Sequence, residues 1–242
     1  MGKQINKNKY IVEDVQVLRG PTSDNIFESE DKCYLGISIG NRNLYHERLE
    51  VVLSWINKNF DACHILLDDF LNRHNEYIFN SSTKNAAEEE ASKRADNFLD
   101  ENRKYIEEYS SILELSKSSV YIDEGKYHQE YLYFKGYLEC LYKCNSTFRS
   151  LVDKTAYDFL ERVTDRGKKI TIEKNGAVQH STEYLLEEIA IFCVLVSRGW
   201  TVEVYPGSEI PPLKACLDGE IPTAPAPLLQ RINVEIRLQE TS

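Results

Sequence analysis

Ser38 sits in Gly36-Ile37-Ser38-Ile39-Gly40, a run in which a hydroxyl nucleophile has a glycine two residues away on either side. Small flanking residues let a serine stand exposed on a sharp strand-to-helix turn, as in a nucleophile elbow. The same run also fits an ordinary strand-ending turn whose serine caps the next helix. A hydrolase built on an elbow needs an acid and then a histidine after the serine, and normally several strands before it. Here the serine is expected to close the first strand. His46, His64 and His74 fall early, within helix or strand patterns, and His128 and His180 have no convincing partner. A serine hydrolase stays open as a second reading.

The elements around Ser38 decide where it can act. The apolar run Lys32-Cys33-Tyr34-Leu35-Gly36-Ile37 fits a buried strand that leaves its sheet at Ser38. Leu49, Val52, Leu53, Ile56 and Phe60 recur at three- and four-residue steps, which predicts an amphipathic helix over 44–60. A second strand is expected over 62–67, ending at Asp68 and Asp69. Strand, helix and strand at this spacing make a right-handed crossover, hence parallel strands covered by helices. Good helix formers and heavy charge predict a long, largely solvated helix over 83–109, and further helices follow over 127–143 and 146–163. Alternation around Asn175-Gly176 predicts a small surface hairpin over 170–178. A helix from about Ser181, apolar nearly all round after Glu188, should be deeply buried and stop at Gly199. Strands are expected over 201–205 and 232–238. Ligands of an open parallel sheet bind beyond the carboxyl ends of its strands, and Ser38, Asp68 and Tyr205 fall at such ends.

The chain of 242 residues, 42% hydrophobic, can bury one sizeable core and reads as a single domain over 1–242, with 1–9 and 239–242 flexible. Its longest strongly apolar run, Ile189 to Val196, is far short of the roughly 20 residues of a membrane span. Met1 to Tyr10 is polar and basic with no secretory core, so a cytoplasmic protein with no membrane partner is expected. Six scattered cysteines, only Cys140 and Cys144 close together, are too few in one place for a zinc site and read as buried, reduced thiols. A net charge of -10 argues against DNA and requires any RNA contact to use a local basic patch.

Three motifs in order resemble the tRNA-dependent cyclodipeptide synthases. That family's first motif is a strand of the form His-x-aliphatic-aliphatic-Gly-aliphatic-Ser, and Lys32-Cys33-Tyr34-Leu35-Gly36-Ile37-Ser38 matches it with departures at Lys32 and Tyr34. The second is a helix with tyrosine, glutamate four residues on, and a small residue after one aliphatic position, matched by Tyr184 to Ala190. The third is a strand-end tyrosine followed by histidine or proline according to branch. Tyr205-Pro206 resembles the Tyr-Pro branch, while Asn41 is typical of the other. The resemblance spans about Lys32 to Pro206.

It implies a Rossmann-like fold similar to the catalytic domain of class Ic aminoacyl-tRNA synthetases. Neither synthetase ATP signature, His-x-Gly-His or Lys-Met-Ser-Lys-Ser, occurs. It also implies two aminoacyl-tRNAs as substrates of a monomeric enzyme, joined through an aminoacyl and then a dipeptidyl ester on Ser38. An aminoacyl-tRNA ester is already activated, so neither cofactor nor metal is expected. Ser38, Glu188 and Tyr205 become the catalytic candidates, with Gly36, Asn41, Tyr184 and Tyr34 against substrate. Tyr184 and Glu188, four apart on one helix, can jointly hold a substrate ammonium, which would offset the cost of burying the carboxylate. Lys93 and Lys104, eleven residues apart, fall within about 20° on one helix face, and with Arg94 and Arg103 they form the candidate tRNA surface among interrupting acids. A non-catalytic tRNA-binding module is the third reading. Tyr34 stands where relatives shape the pocket for the first amino acid, so its phenol would favour a small or polar residue there. Its strand face could equally pack on a helix and leave the pocket unchanged.

Overall fold

Six strands and the crossovers between them build the sheet that carries the site. The computed structural model describes residues 9–19, 31–80, 83–123 and 125–241. Its strands are β1 (Tyr10–Arg19), β2 (Lys32–Ile37), β3 (Ala62–Leu67), β4 (Leu113–Lys117), β5 (Val202–Tyr205) and β6 (Ile232–Glu240), in the order β1-β6-β5-β2-β3-β4. All neighbours pair in parallel except β1, which runs antiparallel along β6. The helices are α1 (Glu47–Asn59), α2 (Arg73–Phe79), α3 (Lys84–Glu108), α4 (Ser119–Ile122), α5 (His128–Cys144), α6 (Ser146–Asp165), α7 (Lys174–Ser197), α8 (Pro211–Leu217) and α9 (Ala226–Gln230).

The two faces of the sheet differ in chemistry because strand side chains alternate. Cys33, Leu35 and Ile37 of β2 pack with Val202 and Val204 of β5 against Leu49, Val52, Leu53 and Ile56 of α1 and Ala95 and Phe98 of α3. The opposite face carries Tyr34, Gly36 and, past the strand end, Ser38, alongside Glu203 and Tyr205 of β5. It is covered by α7, which buries Ile189, Phe192, Cys193 and Val196 in a core shared with α5 and α6. Each fully buried aliphatic or aromatic side chain contributes about 1.5–3 kcal/mol, enough to hold this helix centrally although its first half is polar. Among the described residues no helix is long and apolar enough to cross a membrane.

Several expectations need correction. Ser38 follows the second strand of the chain, not the first. There is no hairpin over 170–178: Lys174 begins α7, and Asn175-Gly176 lies in its first turn. Tertiary contacts override the turn signal, since Ala177 is buried in a cluster with Ile78, Phe79 and Leu160, while Thr171 gives both its N–H and its hydroxyl to the Ile78 carbonyl, each at 2.9 Å. Gln239 and Glu240, expected beyond the last strand, pair in register with Ile11 and Tyr10; 1–8 and 242 lie outside the described residues. Cys33, Cys63, Cys193 and Cys216 are buried free thiols, but Cys140 and Cys144 are exposed on α5.

Candidate active site at the carboxyl edge of the sheet

The chain turns sharply after β2, and the turn is held by backbone groups and one carboxylate. Asn41 N–H returns to the Ser38 carbonyl at 3.0 Å, and Gly40 adopts φ +105°, which favours glycine. Asp68, at the end of β3, accepts the Ile39 N–H at 2.9 Å and so fixes the residue next to Ser38. Its second oxygen accepts the Tyr184 hydroxyl at 3.2 Å, tying the strand ends to α7. The Ser38 side chain lies near enough to the same phenol to act on it electrostatically. One turn further along α7, Glu188 Oε1 lies 3.4 Å from the Tyr184 hydroxyl, the i,i+4 spacing placing both on one helix face. Tyr205 enters from β5, its hydroxyl accepting Asn41 Nδ2 at 3.1 Å, while Asn41 Oδ1 caps the next turn through Asn43 N–H at 3.0 Å. Asn43 reaches the Pro206 carbonyl at 3.1 Å and closes this side of the cleft.

Electrostatics here are set by burial. It pushes the Glu188 carboxyl up to about 7, against the opposing pull of Tyr184 and Arg231. Burial also lifts Asp68 well above the carboxylate range, with Glu188 adding to it, despite the Ile39 N–H. Burial and then the Glu188 charge raise Tyr205 to about 12 and carry Tyr184 well above its ordinary range. Both phenols are therefore neutral donors at pH 7. Two carboxyl groups, Asp68 and Glu188, share the cleft, and among the described residues neither has an ion-pair partner, which suits a positively charged guest.

The floor beneath Ser38 is polar but paired. Gly36 is half-buried although Leu35 and Ile37 beside it are buried, so the bare backbone opens onto the cleft. A Cβ there would meet only Glu203 Oε1, at 3.8 Å. Glu203 is bound by the buried Arg231, which also grips Glu209 and donates Nε–H to the Tyr34 hydroxyl at 2.9 Å. The Tyr34 ring packs 5.6 Å from the Phe192 ring of α7. Tyr34 is thus buried against a helix with its hydroxyl engaged, and it forms part of the floor.

Ser38, Gly36, Asn41, Tyr184, Glu188 and Tyr205 come together; Asp68, visible in sequence as a strand end, joins them as the residue the pattern gives no role. Lys93, Arg94, Arg103 and Lys104 lie on α3. Lys93, Arg103 and Lys104 are exposed, but Arg103 pairs with Asp100 at 2.6 Å and Lys104 sits 4.3 Å over the Tyr105 ring. Arg94 is committed to the buried Glu76 at 2.9 Å. Among the described residues no histidine is hydrogen-bonded to Ser38: His64 engages Ser116 and Tyr121, and His74 engages His180 and Glu187.

A mainly parallel sheet with a serine, a tyrosine and a buried glutamate converging at its carboxyl edge defines an α/β enzyme. Residues 18–196 match the family model described as cyclodipeptide synthase, and the chain belongs to that family. No curated protein sequence matches it. Among solved structures it is similar to a cyclodipeptide synthase from Fluoribacter dumoffii (22% identity, TM-score 0.76, covering 95% of this chain and 100% of that one). A Mycobacterium tuberculosis protein, whose structure relates these enzymes to type I tRNA synthetases, matches at 15% identity and TM-score 0.69 over 100% and 99% of the two chains. The enzyme of Candidatus Glomeribacter gigasporarum, solved bound to Phe-tRNA, matches at 17% identity and TM-score 0.63 over 87% and 89%. At these identities the likeness is one of fold.

Proposed function

We propose that this enzyme joins the aminoacyl groups of two charged tRNAs into a cyclic dipeptide through esters on Ser38, by a ping-pong sequence. The observation that carries the reading is the meeting of Ser38 with the Tyr184 phenol and, one helical turn on, a Glu188 carboxyl poised near neutrality. In the first step Ser38 Oγ attacks the ester carbonyl; the C–O bond to the ribose breaks, and the seryl proton ends on the departing ribose oxygen. Tyr184 and Glu188 hold the amino group of the seryl ester by hydrogen bond and charge. That amine must lose a proton before it attacks the second aminoacyl ester, and Glu188 can accept it near pH 7. The peptide bond forms and the second tRNA leaves with a proton on its ribose. The free amine of the dipeptide then attacks the Ser38 ester, the ring closes, and Ser38 Oγ recovers its proton. Tyr205, fixed by Asn41, donates to a carbonyl oxygen during these transfers.

Gly36 gives the first side chain its room over a floor of Glu203 and Tyr34. The proline after Tyr205 supports membership of the Tyr-Pro branch. Lys93, Arg103 and Lys104 offer the acceptor stem exposed charge on α3, with Arg94 bracing that helix against α2. The full chain acts as one domain and a monomer in the cytoplasm, where charged tRNA is available. Mass spectrometry of extracts from cells producing the protein is the direct test: cyclic dipeptides absent from control cells are expected. Folded protein with no such product, in cells and with charged tRNA in vitro, contradicts the proposal.

A further inference from the structure

A second cluster of chemically active groups lies on the other flank of α7, outside the cleft. His180 and Glu183 are three residues apart on that helix and share a face. His74 comes from α2 and points at both. His74 Nδ1 lies 3.2 Å from His180 Nδ1 and 4.0 Å from Glu183 Oε2, and His180 Nδ1 lies 3.8 Å from the same oxygen. A triangle with these edges has its centre about 2.1 Å from each corner, which is the zinc–nitrogen and zinc–oxygen distance of protein sites. Two imidazole nitrogens this close need something between them, a proton or a cation, because two lone pairs repel.

The surroundings fit a cation in that place. His74 Nε2 is 3.1 Å from Glu187 Oε2, so its ring proton is held there and Nδ1 is left as a bare donor facing the triangle. A carboxylate on the far nitrogen is the usual outer partner of a metal-bound histidine. Glu187 is in turn fixed by Arg73, which contacts both its oxygens, and by Lys135 at 3.1 Å. Tyr77 packs 4.7 Å from the His180 ring and limits its rotation. The side chains of His180 and Glu183 are 31% and 41% exposed, so water can complete the coordination. Arg73 and Lys135 spend their charge on Glu187, and Glu183 supplies the net negative charge at the centre. Arg73, although bound to Glu187, and then Lys84 also act on His180 and weaken the site relative to one lined only by acids.

We propose that His74, His180 and Glu183 bind a divalent transition cation, zinc by donor type and spacing, as a clasp between α2 and α7. The cation takes no part in the transfer chemistry. It fastens the turn of α7 immediately before Tyr184, so the inference stands whether or not the proposed reaction is correct.

The test uses untagged full-length protein, freed of metal with a chelator, in a Cys140→Ser/Cys144→Ser background that removes the exposed thiol pair. Titration with cobalt(II) should give one saturable site with the intense visible bands of a four-coordinate ion, and zinc should displace it and raise the melting temperature. His180→Ala and Glu183→Gln, both at partly exposed positions, should each weaken binding by about tenfold or more and abolish the zinc-dependent thermal shift. No saturable binding, or binding unchanged in both variants, overturns the proposal.

Discussion

Glu187 and Glu188 are neighbours on one helix, and their surroundings give them opposite properties. Burial alone would raise the Glu187 carboxyl, but His74, Arg73 and Lys135 bring it down to about 2. Glu188 meets only a tyrosine hydroxyl and the distant Arg231, and burial lifts it to about 7. Helical geometry explains the split, since consecutive residues point about 100° apart: one faces α2 and α5, the other the cleft. A carboxylate whose partners are all supplied by the fold is fixed and structural. One that the fold leaves without an ion-pair partner costs stability when buried. The same helix carries both.

The largest effect should come from Glu188→Gln, which keeps shape but removes both charge and proton acceptor. Product formation is expected to fall about a thousandfold, within the usual range for a lost acid–base group, with the circular dichroism spectrum unchanged. Wild-type turnover would remove Glu188 from the mechanism. Glu187→Gln should leave Arg73 and His74 without their anion and cost about 3 kcal/mol at pH 7, a fall of roughly 10 °C in melting temperature for a chain of this size. A shift of a degree or less would show that the network contributes little.

Glu188 should also show the opposite sign in stability. Its folded pKa is raised, so the folded state holds the proton more tightly than the unfolded chain, and stability falls as pH rises from about 4.5 to about 7. Glu188→Gln is therefore expected to melt a few degrees higher than wild type at pH 8, with the gain vanishing below about pH 4.5. A variant less stable at pH 8 would mean that the fold itself compensates the charge. The smallest effect concerns Tyr34. Its removal by Tyr34→Leu frees Arg231 and Glu203 beneath the pocket, and the ratio of cyclic dipeptides should shift away from small or polar first residues. An unchanged product spectrum would confine Tyr34 to packing.

How much of this was legible in sequence follows from which signals are local. The strands β2 and β3 and the helices α1, α3, α5 and α6 show in apolar spacing or helix formers, and Ser38, Tyr184, Glu188 and Tyr205 follow from the ordered motifs. The parallel sheet also follows, from strand and helix lengths. β4 is a short edge strand with Glu114, Ser116 and Lys117 among its five residues, too polar to be marked by hydropathy. Asn175-Gly176 reads as a hairpin because the contacts that make it helical come from residues nearly a hundred positions away. Asp68 gains its role only when folding brings Ile39 and Tyr184 to it. The Glu187 network joins α2, α5 and α7 in the same way, so sequence spacing cannot tell which of two adjacent glutamates is paired.

Intact-mass measurement of the protein mixed with a charged tRNA tests the central claim, that the cleft forms an ester on Ser38. The account predicts a mass gain of one aminoacyl group, mapping to the peptide that contains Ser38 and lost in Ser38→Ala together with all cyclic dipeptide. Product formed by Ser38→Ala at an undiminished rate, or an adduct on any other residue, would contradict it.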